Sequence, residues 1–92
     1  MAFQLGKLMC TAAINTAMRE PKSGFEPEVR EALQKYICSD WGECDKEDWR
    51  ANDEALELGN RILASYTTSK GKIWIITEAN RSYTTILFPS DY

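Results

Sequence analysis

Apolar residues recur along this chain with two different periods, and the change falls near residue 60. Between Pro27 and Cys38 they return every three or four positions, at Val29, Ala32, Leu33, Tyr36 and Ile37, which puts them on one stripe of a helix. Pro27 suits the first helical position and Glu28 the positive end of the dipole, so a helix is predicted over Pro27–Cys38. Ahead of it, Lys7–Thr11 reads as a short strand. Ala12–Glu20 reads as a short helix that stops before Pro21, because the residue preceding a proline is disfavoured in the helical region. Ser39–Cys44 breaks the pattern, and Asp45 then offers a side-chain cap for a third helix over Lys46–Leu58, ended by Gly59-Asn60. The inward face of this third helix would hold Trp49, Asn52 or Asp53, and Leu56, with polar side chains where a plain core helix carries aliphatics.

Beyond residue 60 the texture is that of strands. Arg61–Thr68, Lys72–Glu78 and Tyr83–Phe88 are joined by connections of hairpin length, Ser69-Lys70-Gly71 and the knuckle Glu78-Ala79-Asn80-Arg81-Ser82. Lys72–Glu78 is apolar on both faces, with Ile73 and Ile75 on one and Trp74 and Ile76 on the other, as befits a central strand. Ile62, Leu63 and Tyr66 also fit a continuation of the third helix. Gly59-Asn60 and the β-prone Tyr66-Thr67-Thr68 favour the strand. The predicted fold is α+β: a three-stranded antiparallel meander at the C-terminal end, two to three helices packed on one of its faces, and a short N-terminal strand.

With 92 residues the chain has material for one core, so residues 1–92 are read as a single domain. Hydrophobic residues make up 43% and charged residues 27%, a balance that argues against a disordered chain. No apolar run is long enough to span a bilayer, and Met1–Cys10 lacks the basic and apolar regions of a signal peptide, so the expectation is a cytoplasmic protein with no membrane contact. Cys10, Cys38 and Cys44 form no Cys-x-x-Cys pair, and the chain has no histidine. They are expected to be reduced, mostly buried thiols, with no metal and no cofactor. The missing histidine also removes the commonest general base, so an enzyme built on Cys10 or Cys38 would lack a means of activation.

Charge is unevenly distributed. Asp40–Glu57 holds eight carboxylates against Lys46 and Arg50, a net of −6, whereas the whole chain carries −3. Such a pole can orient the molecule on a charged partner. Asp45, Glu47, Asp48 and Asp53 do not match a calcium loop, which needs a central glycine.

The run from Lys72 to Tyr92 (KIWIITEANRSYTTILFPSDY), together with Asp40-Trp41-Gly42, Asn52–Leu56 and Gly59–Tyr66, resembles small proteins of bacterial plasmids, prophages and conjugative elements, often labelled plasmid-related or type I restriction subunit M. The chain itself carries neither the glycine-rich strand-to-helix turn nor the Asn/Asp-Pro-Pro-Tyr motif of a methyltransferase. The resemblance implies a mobile-element setting, in which proteins of this size inhibit host defence, as anti-CRISPR or anti-restriction factors do, by occupying a surface.

Two groups of residues are candidates for that surface. Trp41, Glu43, Glu47, Asp48, Trp49, Asn52 and Asp53 combine aromatics with acidic and amide groups, the composition of interface anchors. Glu78 and Arg81 flank the knuckle and could form an ion pair or a charged tip, although the turn itself accounts for them structurally. The favoured partner is a protein, a host defence complex with a basic nucleic-acid channel; a homodimer is also compatible with the sequence. The alternative is a small regulatory nucleic-acid binder using Lys70, Lys72 and Arg81, against which the acidic balance counts. On the reading of the cysteines as structural thiols, EDTA should leave the thermal unfolding midpoint unchanged, and a chelator-induced loss of structure would overturn it.

Overall fold

A computed structural model describes residues 3–92. Four strands and three helices follow one another as β1 (Lys7–Cys10), α1 (Ala12–Arg19), α2 (Phe25–Ile37), α3 (Lys46–Leu58), β2 (Ile62–Thr68), β3 (Gly71–Thr77) and β4 (Tyr83–Leu87), with a 3₁₀ turn at Pro89–Asp91. The fold is α+β, and β2, β3 and β4 form the expected antiparallel meander. The strand reading of Arg61–Thr68 therefore holds over its helical rival. β1 does more than precede the fold: it pairs in parallel with β4, giving a four-stranded sheet of order β1-β4-β3-β2. The middle of the sheet is thus shared by β4 and β3. No helix among the described residues is long and apolar enough to cross a membrane.

Local signals explain the helix ends. Thr11 caps α1 by accepting from the Ile14 N–H, and Asp45 caps α3 by accepting from the Asp48 N–H at 2.8 Å. α2 starts two residues before the expected Pro27, because Gly24 turns the chain with φ +72° and brings Phe25 into the first turn. Pro27 still lies where helix amides have no intrahelical partner. With Phe25 included, the buried stripe becomes Phe25, Val29, Ala32 and Tyr36, and Leu33 and Ile37 move to its half-buried margins.

The helix-facing side of the sheet is Ile62, Ala64 and Tyr66 of β2, Ile73, Ile75 and Thr77 of β3, and Thr84 and Ile86 of β4, all buried. On the opposite side Trp74 is half-buried, its indole met edge-on by Tyr92 at 5.7 Å between ring centroids. A chain of hydroxyls crosses the core. Thr84 donates to the Leu5 carbonyl at 2.7 Å, so it must accept from Thr77, which in turn must accept from the Tyr36 phenol at 2.6 Å. The cysteines depart from expectation: all three thiols are free, but Cys10 and Cys38 are exposed and Cys44 is half-buried. Cys10 sits on an edge strand and Cys38 at a helix end, positions that the core does not cover.

Burial pushes the Tyr36 phenol from 10.0 up to about 12, and Tyr66, whose hydroxyl donates to the Asp40 carbonyl, is raised as well. The fold holds the protonated form of both, whereas the unfolded chain releases its phenolic protons near 10. The two phenols should therefore leave stability unchanged below about pH 10 and lower it as pH rises from there towards 12, Tyr36 accounting for about 2 kcal/mol of the loss. This comes on top of a decline that the raised Cys10 and Cys44 thiols begin near pH 9. Urea midpoints measured across that range, with Tyr36→Phe showing a shallower fall, check the assignment.

Candidate functional site

α3 carries the acidic pole and is held at three places. At its start, Asp45 caps the helix while Glu47 and Asp48 stand in its first turn, where negative charge is favoured by the dipole. Midway, the Asn52 side chain lies against the sheet edge, its amide donating to the Leu63 carbonyl at 2.8 Å and its oxygen accepting from the Leu63 N–H at 3.3 Å. This amide occupies the outward backbone groups of β2 as a neighbouring strand would. Just beyond, the Glu43 N–H donates to the Ser65 carbonyl at 2.7 Å, and Gly42 bridges to Ser65. Gly42, at φ +69°, is required there because a Cβ would collide with the Ser65 carbonyl oxygen.

The third tie is the knuckle. Arg81, itself at φ +59°, directs its guanidinium to the Ala55 and Asn60 carbonyls at 2.8 and 2.7 Å, and to those of Glu78 and Ala79 at 3.2 and 3.3 Å. A fixed cation at the negative end of α3 thus joins the β3–β4 turn to the acidic helix. Glu78 pairs with Arg61 across 3.6 Å, not with Arg81. The projecting Glu78–Arg81 tip is accordingly replaced by two separate ties. An open cleft of about 280 Å³ remains beside the turn, lined by Glu78, Ala79, Asn80, Ser82 and Tyr83.

Two further expectations need correction. Trp41 is fully buried, in a three-ring cluster with Phe3 and Tyr36, and its indole N–H donates to the Asp53 carboxylate at 2.9 Å. Its position in a loop suggested exposure, but the loop folds inward over the end of α2. Asn52 is 5% exposed and committed to Leu63. Neither can anchor a partner. Asp53 is exposed yet engaged by Trp41, Trp49 is half-buried against the core, and Glu43, Glu47 and Asp48 are exposed.

The structure adds residues that sequence reasoning missed. Glu54 lies seven positions from Glu47 on the outward side of α3, and Leu58, 69% exposed, continues that line. The exposure of Leu58 was legible as an apolar residue off the helix's inward stripe. Arg61, lying over the Tyr92 ring at 5.4 Å and donating to its hydroxyl at 2.9 Å, belongs to a cluster that no local signal marks. Of the cations proposed for nucleic acid, Lys70 pairs with Glu20 at 2.9 Å and Arg81 is taken by carbonyls. Partial desolvation by neighbouring side chains raises the thiols of the exposed Cys10 and the half-buried Cys44, which disfavours their nucleophilic thiolate form. Among the described residues no group of three or more His, Cys, Asp or Glu side chains is placed to hold a metal ion. No family model, curated protein or solved structure matches the chain.

Arg81→Ala should cost about 1–3 kcal/mol, since it leaves carbonyls at the helix end without their charged donor, and should speed amide exchange in the last turn of α3 more than in α2. Equal exchange in both helices would show that the guanidinium does not hold α3.

Proposed function

We propose that this protein is a non-catalytic interaction protein of a mobile genetic element, inhibiting a host defence machine of the anti-CRISPR or anti-restriction type by covering a basic surface of it. The reading rests on one observation above others. The ion pairs among the described residues are Arg30–Glu26, Lys35–Glu31, Arg61–Glu78 and Lys70–Glu20, and none of them draws on the carboxylates of α3. The acidic pole therefore keeps its carboxylates out of close ion pairs, and Lys46 and Arg50 offset it only in part, while the helix bearing it is fixed along its length. A rigid, net-negative row of carboxylates free of close ion pairs suits a groove that normally receives a phosphate backbone, because it can replace phosphates without losing chain entropy on binding. Leu58 offers an apolar contact at the end of that row. The mobile-element setting is supported by the sequence resemblance alone.

Affinity capture from a bacterial lysate identifies the partner. Against it, the combined variant Glu43→Lys, Glu47→Lys and Asp48→Lys should fold, with a stability loss of about 1 kcal/mol or less per position, and should associate at least about tenfold more slowly at low salt. Binding by the wild type should weaken as salt is raised. A captured partner that binds both proteins alike, at all salt concentrations, sinks the acidic-surface reading.

A further inference from the structure

The two edges of the sheet are finished differently. Along β2 the N–H and C=O of Leu63 and the C=O of Ser65 are met by Asn52 and Glu43, whereas β1, at the other edge, leaves all four of its residues exposed. The Lys7 N–H donates to Ser82 at 3.0 Å and the Thr11 N–H to Ile86 at 3.1 Å, so the odd-numbered residues face β4. Alternation then turns the N–H and C=O of Leu8 and Cys10 outward, where no described residue meets them. The side chains of these same two residues line a mainly apolar groove of about 210 Å³ with Met18, Val29, Leu33 and Ile86, rimmed by the ion-paired Glu26 and Arg30, and Leu8 is 45% exposed.

We propose that β1 is a self-association edge, at which a second copy of this chain pairs its own β1 antiparallel about a two-fold axis through Met9. That register sets Leu8 opposite Cys10 of the second copy and Cys10 opposite its Leu8, so every outward N–H and C=O of both residues finds a partner. Opposed residues in an antiparallel pair share a face, so the second copy's Leu8 arrives beside Cys10 at the mouth of the groove, an aliphatic side chain for an apolar site. Lys7, the charged residue of β1, falls opposite Thr11, so the paired strands set no like charges against each other. The edge is thus complementary to itself in hydrogen bonding and apolar fit. Two four-stranded sheets become one of eight strands, whose outer strands lie roughly 34 Å apart with an acidic α3 beyond each. Four strand residues and one groove make a small contact beside the roughly 800 Å² per partner of a standard interface, so the dimer is a concentration-dependent one.

Sedimentation velocity up to millimolar protein, with reductant present to prevent disulfides through Cys10 or Cys38, tests this. The wild type should show a monomer–dimer equilibrium. Leu8→Pro removes an outward N–H but none of those directed at β4, and should weaken the dimer at least about tenfold while the thermal midpoint stays close to that of the wild type. If that variant fails to fold, Leu8→Lys, which keeps the backbone donor and places a charge at the groove, decides the matter by the same readout. A wild type that stays monomeric at millimolar concentration overturns the proposal and leaves the edge to an extended segment of another protein. A dimer unchanged in the folded variants overturns it as well.

Discussion

A sheet of four strands has two edges, and the backbone groups along each must find partners or face water. At β2 that requirement shapes a third of the chain. Asn52 reaches from the middle of α3 to take both backbone groups of Leu63, and the segment at Gly42 and Glu43 lies against Ser65. Once these contacts exist, the direction of α3, the inward course of the 39–45 loop and the burial of Trp41 all follow. An apolar residue at position 52 would pack equally well but would strand a donor and an acceptor at a covered edge, at a cost of about 1–3 kcal/mol for each.

The same constraint explains how so acidic a helix is tolerated. Carboxylates at positions 47 and 48 stand at the positive end of the α3 dipole, and the guanidinium of Arg81 stands at the negative end. What remains unbalanced is the outward row, which has no part in holding the fold together. Structural and exposed charges are therefore separated around one helix: Asp45 at its cap, Asp53 within it and Arg81 from the β3–β4 turn are spent on caps and ties, whereas Glu47, Glu54 and their neighbours face solvent. The knuckle at Glu78–Ser82, conspicuous for its charges, is a brace for that helix.

Much of the architecture was legible from periodicity. The spacing of Val29, Ala32 and Tyr36 implied α2, the Asp45 cap and Gly59 bounded α3, and alternation with short polar breaks located β2, β3 and β4, because these signals depend on neighbours within a few residues. The polar inward face of α3 was visible too. Its purpose was not, since nothing near Asn52 in the chain reveals that Leu63 will lie beside it.

By itself, then, the sequence determined the element types, the meander and the placement of an acidic pole on one helix. Tertiary structure decided which of those charges are free. Arg81 and Glu78 are close in sequence, yet the carbonyls at the end of α3 take one and Arg61 takes the other. Trp41 looks exposed in a loop of polar neighbours, yet its indole completes a ring cluster with Phe3 and Tyr36, and Asp53, twelve residues on, accepts its N–H. The parallel pairing of β1 with β4 likewise joins segments more than seventy residues apart. Each of these outcomes depends on backbone and side-chain groups brought together only when the sheet and helices have closed on one another, and local pattern carries no information about such encounters.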